Sequence, residues 1–221
     1  MNVLEVRLTG DGSHTVYNSL LDTTYHSTHG AVQESEWVFI NNGLLAFDIF
    51  PKPVRLLEIG FGTGLNALLS WKETKRNPDL VIEYTGLEPF PLDPELSSAI
   101  EFQSATLNDD FQVLSRMSPG VKHGLSDRFT ARISTEKFEQ FEADEQFDLI
   151  YFDAFDPSTQ PELWSEEQMK KCASLLAPGG IWISYSAKGD VRRSLSAAGL
   201  QVKRLKGPPF KRHILQAKKP G

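Results

Sequence analysis

Cysteine is nearly absent from this chain: Cys172 stands alone among 221 residues, so no internal disulfide can form and no second cysteine suggests a metal site. It lies in a helical-looking stretch, Glu166 to Leu176, and reads as a small buried apolar residue. Long hydrophobic runs are also missing. None approaches the ~20 residues that span a bilayer, and Met1 to Arg7 interleaves charges with apolar residues, unlike the charged-then-apolar layout of a signal peptide. A cytoplasmic protein is expected, with neither membrane partner nor bound metal. Repeats, low-complexity tracts and a linker between large domains are absent too.

What is present suits a folded chain. Apolar residues make up 40% and charged residues 24%, and a chain of this length buries roughly 70% of its unfolded surface. The formal net charge of −6 argues against a nucleic-acid partner, but the charge is unevenly spread. From Ser186 to Gly221 ten Lys and Arg face Asp190 alone, a local +9 that leaves −15 for the remainder. Two readings stand: a polyanion-facing surface or a solvated C-terminal face.

Val3 to Thr9 and His14 to Asn18 alternate like strands around the turn-forming Gly10 to Ser13, so a hairpin is expected at the start. Trp37 to Ile40 reads as a short strand-like run. From Pro53 onward strand and helix patterns alternate. Apolar strand-like segments fall at 54–59, 80–87, 129–133, 147–152, 180–185, 201–205 and 211–217. Amphipathic segments fall at 65–75, 94–116, 165–176 and 190–198. This pattern predicts a mostly parallel sheet covered by helices on both faces. The link Lys206 to Phe210 is too short for a helix, so the last two strands should pair antiparallel.

Leu56 to Asn66 places a hydrophobic strand, a glycine turn (Gly60, Phe61, Gly62, Thr63, Gly64) and a helix start in succession, which makes a ligand crevice at a strand's carboxyl end. The glycine spacing is one residue tighter than the dinucleotide fingerprint, which disfavours NAD. Glu58 before the loop gives E-x-G-x-G-x-G, a pattern resembling the first motif of class I methyltransferases. A carboxylate there suits the cationic methionine moiety or the ammonium group of S-adenosylmethionine. Glu88, ending the next strand, suits both ribose hydroxyls.

The fourth core strand releases Asp153, followed by Ala154-Phe155-Asp156-Pro157. An acid there can orient an amine and stabilise positive charge developing on it, or it can simply cap a helix. Phe155 can pack against the sulfonium, the adenine or an acceptor base. Asp156-Pro157 reads as turn chemistry.

At this point the sequence resembles the methyltransferase family of the tRNA-modification proteins MnmC and MnmD. The matching stretches are Asp22 to Ser27 with Gly30, Ala31 and Glu34; Glu58 to Asn66; and Phe152 to Pro157 with Pro161 to Trp164. Others are Leu176 to Gly180, Ser184 to Ser186, Val191 to Arg193, Lys206-Gly207 and Lys211-Arg212. The resemblance covers about Val6 to Ala217. It implies an α/β, Rossmann-like class I fold: a mostly parallel seven-stranded sheet with one antiparallel strand, residues 1–50 as hairpin and cofactor entrance, and residues 51–221 as the methyltransferase domain.

The implied activity is S-adenosylmethionine-dependent methylation of the aminomethyl group on carbon 5 of the wobble uridine in tRNA. Asp153 would face the amine as the catalytic acid. Around the cofactor the resemblance puts Glu58, the loop residues 60–64, Asn66, Glu88, Asp153 and Phe155, with Tyr25, Ser27 and Glu34 at the entrance. Phe155, Trp164, Lys188, Arg192, Arg193, Lys211 and Arg212 would meet the tRNA. His26, an isolated histidine, is left outside the site. The family's Gly-Asp pair for the adenine amino group is replaced by Arg132 to Glu136. The flavin-dependent oxidase domain of the bifunctional members is not expected here, so aminomethylated tRNA is expected from another source. The other readings are a methyltransferase for small amines or proteins, and a noncatalytic cofactor-binding RNA module.

Overall fold

A computed structural model describes residues 3–221. The chain opens with β1 (Leu4–Leu8) and β2 (His14–Asn18), antiparallel with Leu4 opposite Asn18 and Leu8 opposite His14. Asp11 ties their turn by accepting from the Thr9 hydroxyl (2.8 Å) and the Ser13 amide (3.1 Å). A two-residue strand, β3 (Thr23–Thr24), pairs with β2, so the expected hairpin is a three-stranded sheet.

Trp37 to Ile40 is helical, not the expected strand. Helix α1 (Ala31–Ser35) runs on into a π-helical turn, Glu36–Asn41. An apolar run of four residues carries no period that separates strand from helix. Here Val38, Phe39 and Ile40 are buried, with the Phe39 ring 5.1 Å from that of Tyr151.

The main body follows as β4 (Val54–Ile59), α2 (Leu65–Arg76), β5 (Ile82–Leu87), α3 (Pro94–Ser98), α4 (Ala105–Leu114), β6 (Lys122–Ser126), β7 (Phe129–Ser134) and β8 (Phe147–Phe152). It ends with α5 (Glu166–Leu175), β9 (Leu176–Ser184), α6 (Gly189–Ala197), β10 (Gln201–Lys206) and β11 (His213–Lys218). The sheet order is β10-β11-β9-β8-β4-β5-β7-β6. Strand β11 is antiparallel to both neighbours, and β6 is antiparallel to β7.

The sheet therefore has eight strands and two antiparallel members, against the expected seven and one. The extra strand, β6, is an edge with alternating exposed and half-buried residues and a glycine, which leaves almost no apolar signature. The expected helix over 94–116 is two helices, each with its own cap: Asp93 accepts from the Glu95 amide at 2.8 Å, and Ser104 accepts from the Leu107 amide at 3.4 Å.

Successive residues of the central strands feed opposite faces. Leu56 joins a core shared with α2, α4 and the N-terminal segment, while Leu57 joins the core under α5 and α6. Parallel pairing sets Ile59 in register with both Leu87 and Phe152, so the residues that follow, Gly60, Glu88 and Asp153, emerge together at one edge. Phe152 packs 4.7 Å from the Trp164 ring and 5.6 Å from Trp182. Phe152→Ala is expected to cost roughly 3–5 kcal/mol, lowering Tm in a calorimetric scan by about 10 °C.

Candidate active site

The glycine loop owes its sequence first to packing. At Gly60, φ is 88°, and an added Cβ would lie 2.5 Å from the Asp153 carbonyl oxygen, so only glycine lets β4 and β8 close together. Gly62, at φ 53°, turns its amide onto the Glu88 carboxylate (2.8 Å), and an added Cβ would meet the Tyr25 ring at 3.0 Å. Gly64 then stands at the N-cap of α2.

Phe61 and Thr63 face away from the crevice. Phe61 is 7% exposed and packs under the loop, its ring 6.5 Å from Tyr84. Thr63 is buried and shares a 2.7 Å hydrogen bond with His26 Nε2. Of the loop, Gly60 alone lines the crevice.

Two cavities meet here. The larger, about 620 Å³, lies over the strand ends at Gly60, Glu88 and Asp153, walled by Phe138 and Phe155 and roofed by Leu4, Asn18 and Leu21 of the N-terminal segment. The smaller, about 270 Å³, is lined by Ser27, Glu34, Tyr185 and Lys211. Tyr25, His26, Asp153, Ala154 and Phe155 border both. The larger volume falls within the range of small-molecule sites. Glu88 accepts from the amides of Gly62 and Phe90 (3.1 Å), burial raises its pKa, and lone pairs remain for a diol. These donors and acceptors fit S-adenosylmethionine. Where the family's adenine-binding pair is missing, the turn Lys137-Phe138-Glu139 lines the cavity.

Glu58 lines neither cavity. It is 0% exposed and accepts from the Tyr84 hydroxyl (2.6 Å) and from Asn66 Nδ2 (2.7 Å). The same Asn66 nitrogen donates to Asp153 at 2.8 Å. Asn66 is itself buried, so it braces two carboxyl groups from behind and does not line the crevice. Desolvation lifts Glu58 to about 8. Desolvation, and then the neighbouring Glu58, hold Asp153 well above the usual carboxylate range.

Phe155 and Tyr25 meet edge to face, centroids 5.1 Å apart at 82°. Trp164 is 6% exposed and donates its indole N–H to the Phe155 carbonyl at 2.8 Å. It supports the loop from below and lines neither cavity. Asp156 forms the anticipated turn, accepting from the Ser158 amide (2.9 Å) and from Lys188 (2.7 Å). Lys211 reaches the smaller cavity, paired with Glu34 at 2.5 Å and 4.2 Å from the Tyr185 ring centroid. Arg192, Arg193 and Arg212 are exposed and line neither cavity; Arg193 is paired with Asp190.

His26, set aside on sequence grounds, borders both cavities, and burial pushes it down to about 4, so it is neutral at physiological pH. Its only signal was the motif Tyr25-His26-Ser27. The roof residues carry none, because a hairpin's contacts with a distant sheet edge leave no local pattern. Among the described residues no group of His, Cys, Asp or Glu is arranged to hold a metal ion, and no helix is long and apolar enough to cross a membrane.

Comparison with known proteins bears on the same residues. A family of S-adenosyl-L-methionine-dependent methyltransferases matches residues 130–220. The bifunctional protein MnmC of tRNA 5-methylaminomethyl-2-thiouridine biosynthesis is 31% identical in Pseudomonas fluorescens (strain Pf0-1), over 89% of this chain and 32% of that protein. In Pseudoalteromonas atlantica it is 28% identical over 96% and 33%. The chain thus spans about a third of the length of these relatives. The crystal structure of MNMC2 from Aquifex aeolicus superposes with a TM-score of 0.83 at 25% identity, covering 99% of this chain and 72% of that one. A spermidine synthase from Thermotoga maritima, TM-score 0.55 and 16% identity over 100% of this chain and 71% of that one, shares the fold alone.

In fold, and in the sequence of residues 130–220, the chain is similar to S-adenosylmethionine-dependent methyltransferases of the Rossmann-like class. More particularly, it is similar to about a third of the bifunctional protein MnmC and to MNMC2 of Aquifex aeolicus.

Because Glu58 is raised from 4.5 to about 8, folding takes up a proton, and its contribution to stability declines as pH rises through that window. Glu58→Gln removes the titration. Between about pH 5 and pH 8 the wild-type Tm is expected to fall several degrees more than that of E58Q; parallel profiles would mean that Glu58 ionises normally in the fold.

Proposed function

We propose that this chain methylates the aminomethyl nitrogen on carbon 5 of the wobble uridine in tRNA. The observation that carries this reading is the junction of the two cavities at Asp153, with the smaller one opening beside the basic C-terminal segment. When bound in the larger cavity, the cofactor supplies an electrophilic methyl group on a sulfonium.

The chain's own residues supply position and charge. A carboxyl at the junction accepts an N–H from the substrate amine and points its lone pair toward the larger cavity. The raised pKa of Asp153 suits it to take up the proton that an ammonium must lose before attack. Asn66, which donates to both Glu58 and Asp153, fixes the position of the Asp153 carboxyl. The crossed rings of Tyr25 and Phe155 form an apolar wall that keeps water from the nitrogen and offers a face to the uracil.

A base reaches such a cavity only after leaving its stack. The cost is met by phosphate contacts, for which Lys188, Arg192, Arg193, Lys211 and Arg212 are placed on the segment carrying +9. That Arg192, Arg193 and Arg212 line neither cavity agrees with a polymer extending past the pocket.

Incubation with methyl-labelled cofactor and tRNA from cells lacking this activity, followed by nucleoside mass spectrometry, is expected to yield a labelled 5-methylaminomethyl nucleoside. Equal activity on small amines would overturn the tRNA reading. Asp153→Asn is expected to lower kcat by about 10²–10⁴-fold while tRNA still binds. In filter-binding titrations, tRNA affinity should fall steeply with salt. R192A/R193A should reduce the log–log slope by about 2 if both arginines meet phosphates.

A further inference from the structure

Phe210 is 81% exposed at the tip of the link between β10 and β11, in a left-handed backbone conformation (φ 73°) that side chains rarely adopt. The tip is held by Lys211 N–H donating to the Pro208 carbonyl (3.0 Å) and Gly207 N–H to the Arg212 carbonyl (3.1 Å). The Phe210 ring stacks on His29, centroids 4.4 Å apart at 23°. A fold that held this ring merely for packing would bury it; here one face is backed by histidine and the ring remains largely in water.

A third cavity, about 230 Å³, lies between this tip and the α1 region, lined by Ser27, His29, Gln33, Glu34, Phe210 and Lys211 among others. It shares Ser27, Glu34 and Lys211 with the acceptor cavity, so the two are adjoining compartments. Lys206 and Arg212 are exposed on either side of the tip. An aromatic platform, amide and hydroxyl groups from Gln33 and Ser27, and cations for a backbone are the elements that hold a single-stranded nucleotide. A protein partner would call for a contiguous apolar patch rather than one ring set among charges.

We propose that Phe210 and His29 form a stacking subsite for the nucleobase adjacent to the methylated uridine, holding the anticodon loop open while its neighbour occupies the acceptor cavity. This rests on the tRNA reading above and adds a residue pair to substrate recognition. It makes Phe210 a binding residue for the polymer and assigns it no part in methyl transfer.

The test is steady-state kinetics on aminomethylated tRNA with Phe210→Ala, Phe210→Leu and Phe210→Trp. F210A and F210L are expected to raise KM for tRNA about tenfold, from the loss of one base–aromatic stack, with kcat near the wild-type value; F210W should keep the wild-type KM. An anticodon stem-loop abasic at the position on one side of the wobble uridine should bind the wild type as weakly as the intact stem-loop binds F210A, with no further loss when both changes are combined. An unchanged KM for F210A, or a wild-type KM for F210L, overturns the stacking subsite while tRNA methylation stands. A wild-type protein that leaves tRNA unlabelled overturns both.

Discussion

A single side-chain amide, Asn66, holds two carboxyl groups together: Glu58 at 2.7 Å and Asp153 at 2.8 Å. The contact requires β4 and β8 to lie close enough that Gly60 touches the Asp153 carbonyl, and requires α2 to start directly after the loop so that Asn66 falls beneath both strand ends. Burial keeps a proton on Glu58, and its hydroxyl partner Tyr84 sits in the core on the same face as Tyr151. The carboxyl that reaches the cavity is therefore set by groups that do not line it.

Around this clamp the cavities are completed by segments remote in sequence. The N-terminal segment roofs the larger cavity and is tied to the glycine loop through His26 and Thr63. The wall between the cavities joins Tyr25 from that segment to Phe155 from the loop after β8, and Trp164 fixes the latter from below. Polar and aromatic residues that look like ligand contacts in isolation are divided by this arrangement into those that line a cavity and those that hold the lining in place.

Much of this was legible before any coordinates. Parallel strands buried on both faces produce apolar runs, and the turns between them concentrate glycine and acids, so β4, β5, β8 and the residues ending them stood out. Strand β6 did not, since an exposed edge needs no apolar pattern, and the helical Trp37 to Ile40 resembles a strand because so short a run is silent about its period. Glu58 and Glu88 look equivalent as acids beside one loop. The first lies within β4 with its side chain directed into the core, and the second lies one step past the end of β5, where it meets the crevice.

The sequence by itself determined the doubly covered sheet, the glycine turn, the acids at two strand ends and the basic C-terminal segment, because each is a local consequence of period, turn chemistry or charge. Only the tertiary structure decided which of two neighbouring residues faces the ligand, that Phe61 and Trp164 are supports while Phe155 is a wall, and that His26 and the Phe210 tip border the cavities. Those outcomes depend on the side of the backbone a residue occupies at a particular step, and on contacts between segments far apart in the chain, neither of which local sequence encodes.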